Sequence, residues 1–179
     1  SFPLAVEELF LRERHPVVVV GTHGKTTTSA LMAWVLREAG RDPSWLVGGV
    51  LEGEESSYRL GKGPHFVIEG DEYETAFFDK GSKFLHYRPR TGILTSVEFD
   101  HAEMFRDLEA VRSAFAAFLA LIPGEGSLIY CADDPSVRDL AGRCLARRID
   151  YGVAGKATWS GRTRKADPDG ILFDVFRGG

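Results

Sequence analysis

The residues best suited to chemistry in this sequence occupy seven consecutive positions: Gly21, Thr22, His23, Gly24, Lys25, Thr26 and Thr27. Two glycines let backbone N–H groups turn toward an anion, Lys25 adds a full positive charge, and Thr26 carries a hydroxyl of the kind that reaches Mg²⁺ beside a phosphate. The common spacing of such a loop, G-x-x-x-x-G-K-[ST], asks for glycine at position 19, where Val19 stands, so this loop is a shortened one. The bland reading is a plain glycine turn with a solvated lysine. Placement of Gly-Lys-Thr at the start of a predicted helix favours a nucleotide phosphate instead. Acidic groups and a further imidazole follow at Glu69, Asp71, Glu72, Asp100 and His101. Glu69 is the best candidate to share Mg²⁺ with Thr26, because that ion takes oxygen ligands and few carboxylates. Asp71, Glu72 and Asp100 would position substrate or cap local structure. His101 would hold a second metal ion or orient a phosphoryl group, and His23 would face phosphate or a second substrate. His15, His65 and His86 read as structural.

These groups need elements to bring them together. Val17 to Val20 predict a strand covered on both faces, since a run of β-branched residues leaves no polar side for water. A helix is predicted from Thr26 to Ala39, with Leu31, Met32, Val35 and Leu36 on its core stripe and Gly40 closing it. Met32 and Trp34 read as core rather than as cofactor contacts. Residues 45–50 predict a short strand ending in Gly48 and Gly49, a pair that either bulges the strand or lets a ligand approach the backbone. Further strands are expected at Phe66–Ile68, 91–97, 127–131 and 148–151, with helices from Asp107 to Ile122 and after Asp134-Pro135. A short helix is expected over residues 3–14, a possible edge strand around 57–60, and a helical turn plus loop over residues 73–90. Beyond Gly155 the pattern becomes antiparallel, adding a small sheet at one edge. The fold expected is therefore α/β: a mainly parallel P-loop-type sheet with helices on both faces and a small antiparallel edge sheet. In such a sheet the polar residues at strand ends share one rim, where ligands bind.

The 179 residues, 44% of them hydrophobic, suffice for one good core. A net charge of −4, without a basic patch interleaved with aromatics, argues against nucleic acid as a partner. No long apolar run or leader pattern is visible, so no membrane is expected and a cytoplasmic protein is. Cys131 and Cys144 read as buried thiols rather than metal ligands or a disulfide. Ser1 in place of a start Met, and a last strand with no following partner, predict a piece of a longer protein.

The runs GTHGKTTT, EGDEYETAFFDKGSKFLHYRPR and EFDHAEMF together resemble the central ATP-binding domain of the Mur ligases, over roughly residues 16–150. The second, longer run favours the murein-peptide-ligase branch, which works in cell-wall recycling. The resemblance implies residues 1–15 as a helical linker remnant and residues 16–179 as the central domain, without the family's flanking UDP-binding and carboxy-terminal domains. It implies ATP and Mg²⁺ as cofactors, Lys25 on the β- and γ-phosphates, Thr26 and Glu69 on one Mg²⁺, and His101 at a second. It also implies the reaction. The γ-phosphoryl group of ATP activates the lactyl carboxylate of UDP-N-acetylmuramate as an acyl phosphate, and the amine of L-Ala-γ-D-Glu-meso-diaminopimelate displaces the phosphate. Without the flanking domains the piece is expected to be inactive alone. Gly48, Gly49, Asp71 and Glu72 are candidate substrate contacts. Residues 111–118 lack the lysine that some relatives carbamylate, and Ser96 stands where relatives often have Asn. The alternatives are the alanine-adding or folylpolyglutamate-type ligases, or a nucleotide-binding module without catalysis.

Overall fold

Strand β1 (His15–Val20) forms where the valine run removes any polar face, and Val17, Val18, Val19 and Val20 are all buried. Each such side chain contributes about 1.5–3 kcal/mol relative to exposure. The computed structural model describes residues 1–77, 79–100, 105–155, 157–168 and 170–178. Helix α1 (Phe2–Val6) runs into a π-helical turn at Glu7–Leu11 before β1. After β1 come α2 (Lys25–Glu38), β2 (Ser44–Leu46), β3 (Tyr58–Arg59), β4 (His65–Glu69), β5 (Glu74–Ala76) and β6 (Asp79–Ser82). A 3-10 turn at Lys83–His86 leads to β7 (Thr91–Leu94), α3 (Leu108–Ala120), β8 (Ser127–Cys131), α4 (Pro135–Ala141) and β9 (Arg147–Gly152). Strands β10 (Trp159–Asp167) and β11 (Gly170–Arg177) end the chain.

Nine strands form one sheet in the order β11-β10-β9-β8-β7-β1-β4-β2-β3. From β2 to β10 the pairings are parallel, and both outermost pairs are antiparallel. Alternate valines of β1 face opposite ways. Val18 and Val20 pack with Ile68, Leu94, Phe84, Phe115, Phe118 and Leu140, and so with α3 and α4. Val17 and Val19 pack with Trp45, Val67, Ile93 and Ala33 of α2. The mainly parallel sheet covered on both faces is thus present, with antiparallel strands at its edge.

Several local expectations need correction. The strand expected over 45–50 stops at Leu46, because Val47 N–H turns to Ser57 O and Gly48 N–H to the Glu69 carboxylate. Residues 73–90 contain the expected helical turn, but also a separate hairpin of β5 and β6, held by Thr75 Oγ1 donating to Gly81 O at 2.9 Å. The antiparallel edge expected beyond Gly155 is present: β11 pairs along its length with β10, which joins the main sheet through Tyr151 and Gly152 of β9. On α2 the buried residues are Ser29 and Ala33, with Met32 and Leu36 packed against the core as expected, while Leu31, Trp34 and Val35 are exposed at 57%, 46% and 45%. Small residues face the sheet because the helix packs close to it. Cys144 is buried as expected, whereas Cys131 is only partly so.

Candidate functional site

Val19 pairs with Glu69 and Val20 with Leu94 in parallel register, so β1, β4 and β7 end on the same rim. From β1 the chain crosses over through α2 on one face; from β7 it crosses through α3 on the other. Departures to opposite faces leave a crevice between the two strand ends, the usual ligand position in open α/β sheets.

The glycine loop lies in that crevice. Gly21 has φ +139°, and a Cβ there would stand 2.1 Å from Thr95 Oγ1 and 2.9 Å from Ser96 N. Only glycine permits so close an approach to the segment leaving β7. Gly24, at φ 78°, is the left-handed N-cap of α2, and no side chain caps the helix there. The first amides of α2 are therefore left for a ligand. Thr22 N–H donates to Ser96 O at 3.0 Å, and Glu98 N–H donates to Thr22 Oγ1 at 2.9 Å. His23 N–H donates to Ser96 Oγ at 3.0 Å, and Thr95 Oγ1 donates to His23 O at 2.6 Å. The imidazole of His23 lies 3.7 Å from the Glu98 carboxylate on an exposed surface. Thr26 and Thr27 are exposed in the first turn of α2.

Lys25 turns inward. Its ammonium donates to Gly21 O at 2.8 Å and Thr22 O at 3.2 Å, and it meets the two Glu72 carboxylate oxygens at 3.1 and 2.9 Å. Both side chains are sheltered, at 14% and 4% exposure. Glu69 accepts from Thr26 Oγ1 at 2.9 Å and from Gly48 N–H at 2.6 Å. A Cβ on Gly48 would stand 2.7 Å from Glu69 Oε2 and 3.1 Å from Thr26 Oγ1, and one on Gly49 3.3 Å from Thr26 Cγ2. The glycine pair is thus a close backbone approach rather than a bulge. Two neighbours at the helix start, Lys25 and Thr26, thus each meet a carboxylate from the end of β4 or the turn after it, Glu72 and Glu69 respectively.

Residues 19–178 match the family model described as the Mur ligase middle domain. The chain belongs to the Mur ligase family. Its relatives include the UDP-N-acetylmuramate--L-alanyl-gamma-D-glutamyl-meso-2,6-diaminoheptandioate ligase of Escherichia coli (strain K12), 45% identical over 175 residues, which are 97% of this chain and 38% of the relative. The UDP-N-acetylmuramate--L-alanine ligase of Methylobacillus flagellatus is 35% identical over 182 residues, covering 99% of this chain and 37% of that protein. Among solved structures, the UDP-N-acetylmuramate:L-alanyl-gamma-D-glutamyl-meso-diaminopimelate ligase from Neisseria meningitides superposes with a TM-score of 0.85 at 40% identity, over 98% of this chain and 56% of that one. The chain spans well under half the length of the two sequence relatives.

In this Mur ligase domain one expected substrate contact is turned to other partners. Asp71 is engaged away from the loop, accepting from Tyr73 N–H at 2.9 Å and pairing with Lys83 at 2.7 Å. His101 lies outside the described residues. Sequence reasoning passed over Thr95 and Asp134. A polar Thr95-Ser96 pair closing an apolar strand was the available signal for the loop anchor. Asp134 was legible only as a helix cap; its Oδ2 also accepts from Val97 N–H at 2.9 Å, fastening the same segment that holds the loop. Ser96 contacts the loop through both its hydroxyl and its carbonyl.

Proposed function

We propose that this Mur ligase domain is the ATP-binding core of a cytoplasmic ligase that joins L-Ala-γ-D-Glu-meso-diaminopimelate to UDP-N-acetylmuramate in peptidoglycan recycling. The observation that carries the nucleotide reading is the 2.9 Å contact of Thr26 with Glu69 beside a glycine loop whose helix has no side-chain cap. The choice of branch rests on similarity to the ligase named for that tripeptide, 45% over nearly the whole chain. Among the described residues no helix is long and apolar enough to cross a membrane.

The residues present fit both cofactors. Gly21, Thr22, His23 and Gly24 give a concave run of backbone into which a phosphate tail fits, with Lys25, Thr26 and Thr27 at the uncapped helix start. Among the described residues no three His, Cys, Asp or Glu side chains cluster as a self-sufficient metal cage. One hydroxyl and one carboxylate, Thr26 and Glu69, instead suit Mg²⁺, which is held by a few protein oxygens together with phosphate and water. Bound there, Mg²⁺ would neutralise charge on the phosphates. His101 retains the second-metal role that the family resemblance implies. Lys25 would bind the β- and γ-phosphates, the amides of Gly24 to Thr26 would orient them, and Gly48 N–H would hold Glu69 toward the metal position. Positioning and charge neutralisation account for most of the catalysis of such a transfer. In this reading the γ-phosphoryl group would pass from ATP to the lactyl carboxylate with release of ADP, and the tripeptide amine would displace phosphate from the acyl phosphate, losing a proton as the amide forms.

The test is release of ADP and phosphate by the full-length protein given UDP-N-acetylmuramate, ATP and Mg²⁺ with either tripeptide or free alanine. Turnover is expected with tripeptide; turnover with alanine alone would move the protein to the alanine-adding branch. In the same protein Lys25→Ala should weaken ATP binding by about 10²-fold or more. Glu69→Ala should weaken mainly the Mg²⁺-dependent part, read by calorimetric titration with and without magnesium. Unchanged binding in both variants would defeat the site assignment.

A further inference from the structure

We infer that Glu72 is a latch on Lys25 that makes nucleotide binding depend on the accompanying cation. This deepens the nucleotide reading above and rests on it. An ammonium group has three N–H donors. Those of Lys25 are directed to Gly21 O, Thr22 O and the Glu72 carboxylate, so all of its hydrogen-bonding capacity points into the protein. A phosphate can recruit Lys25 only by drawing it away from these partners.

Glu72 is held for that task rather than swinging on a surface. Gly70 N–H donates to Val19 O at 2.7 Å, and a Cβ on Gly70 would stand 2.5 Å from Val20 Cγ1, so the turn after β4 is pressed onto β1. Lys83 and Tyr73 N–H fasten Asp71 on the other side. Between these anchors the Glu72 side chain is 4% exposed. The charges then decide the consequence. Lys25 is set against Glu72 in a sheltered pair where Coulomb terms are strong, and the next residue, Thr26, holds a second carboxylate, Glu69, in a more exposed contact. Free nucleotide, itself anionic, meets carboxylates and a lysine already neutralised. Nucleotide that arrives with Mg²⁺ brings the positive charge that offsets Glu69 and Glu72 and lets Lys25 turn to the phosphate. Glu72 is therefore a positioning residue for Lys25 and not the substrate contact that its sequence position suggested.

Replacing the carboxylate by an amide leaves Lys25 without its counterion, a state that a buried pair strongly disfavours. Phosphate relieves it, so the loss in the free protein reappears as affinity. The experiment measures ADP binding by calorimetry to the full-length protein and its Glu72→Gln variant, in excess EDTA and in Mg²⁺, with melting temperature as a second readout. In EDTA, Glu72→Gln should bind ADP about tenfold tighter or more, while the Mg²⁺–ADP affinity moves less than about threefold. Its melting temperature should fall without ligand and rise further on adding ADP in EDTA. Equal changes with and without Mg²⁺ would overturn the latch, as would a loss confined to Mg²⁺–ADP, which would make Glu72 a metal ligand. If Glu72→Gln does not fold, Glu72→Asp, which withdraws the carboxylate by one methylene, should show the same direction at smaller size, and no change there would also overturn it. Lys25→Ala in the same assay separates the two readings. If it binds ADP normally the nucleotide site itself is wrong; if it loses ADP while Glu72→Gln behaves as the parent, only the latch fails.

Discussion

Gly48 shows how much a missing side chain can matter. Its N–H holds Glu69 at 2.6 Å, and a Cβ in its place would reach within 2.7 Å of the same carboxylate. The atom that would have to move is the end of a flexible side chain, so folding should tolerate Gly48→Ala, with a stability change under about 1 kcal/mol in urea denaturation. Glu69, though, would be displaced from Thr26. The expected outcome is a protein that binds nucleotide in EDTA as before but loses about tenfold of the gain from Mg²⁺, read by titrating ADP at several magnesium concentrations. The sequence showed that Gly48 and Gly49 were unusual at a strand end, yet left a bulge and a ligand's approach to the backbone equally open, and did not show that a side chain of this chain takes that place. The choice depended on Glu69, twenty-one residues away. Glu72 was legible as an acidic residue near the rim, but its partnership with Lys25 was not.

At the scale of elements, the segment after β7 joins the glycine loop to α4. Asp134 accepts from Ser136 N–H at 2.7 Å and Val137 N–H at 3.2 Å as the cap of α4, and its other oxygen takes Val97 N–H. Loss of a cap costs about 1 kcal/mol, and an unsatisfied sheltered N–H adds about 1–3 kcal/mol. Asp134→Ala should therefore lower unfolding free energy by about 2–4 kcal/mol and weaken nucleotide binding as well, because Ser96 and Glu98 hold Thr22 and His23. Asp134→Asn, which keeps an acceptor, should lose less in both measurements. The cap itself was readable, since Asp-Pro before an apolar stripe is a local signal. The inner strands and the three helices over 25–38, 108–120 and 135–141 were equally readable from their periodicity and stops. The β5–β6 hairpin was not, because short mixed segments carry no period, and neither was the apolar outer side of α2, because apolar residues on a helix need not face its own sheet.

For the whole molecule, the end of the sheet opposite the crevice sets a pH limit on stability. His15 pairs in register with His65 across β1 and β4, its ring nitrogen lies 2.8 Å from Thr91 Oγ1, and Arg90 adds like charge. Burial first, then His65 and Arg90, hold the His15 imidazolium below its ordinary 6.5. The folded state thus gives up this proton more readily than the unfolded chain. The stability contribution is complete above the unfolded value and is lost as pH falls through it toward the folded one. Unfolding free energy from urea titrations should decline as pH falls through 6.5 and below, and His15→Gln should flatten that decline. A pH dependence unchanged by the substitution would assign it to other groups.

The sequence by itself determined the α/β class, the site of the glycine loop, the family and the rim on which its polar residues gather. Valine runs, helical stripes and strand–loop–helix order are local properties, and parallel strands must place their carboxyl ends together. Only the tertiary structure decided which groups touch. That Lys25 lies on Glu72, that Gly48 N–H joins the Thr26 hydroxyl in holding Glu69, and that Ser96 and Asp134 secure the loop all follow from register between strands that composition does not pair. A charged side chain announces its chemistry wherever it stands, but its partner is chosen by packing.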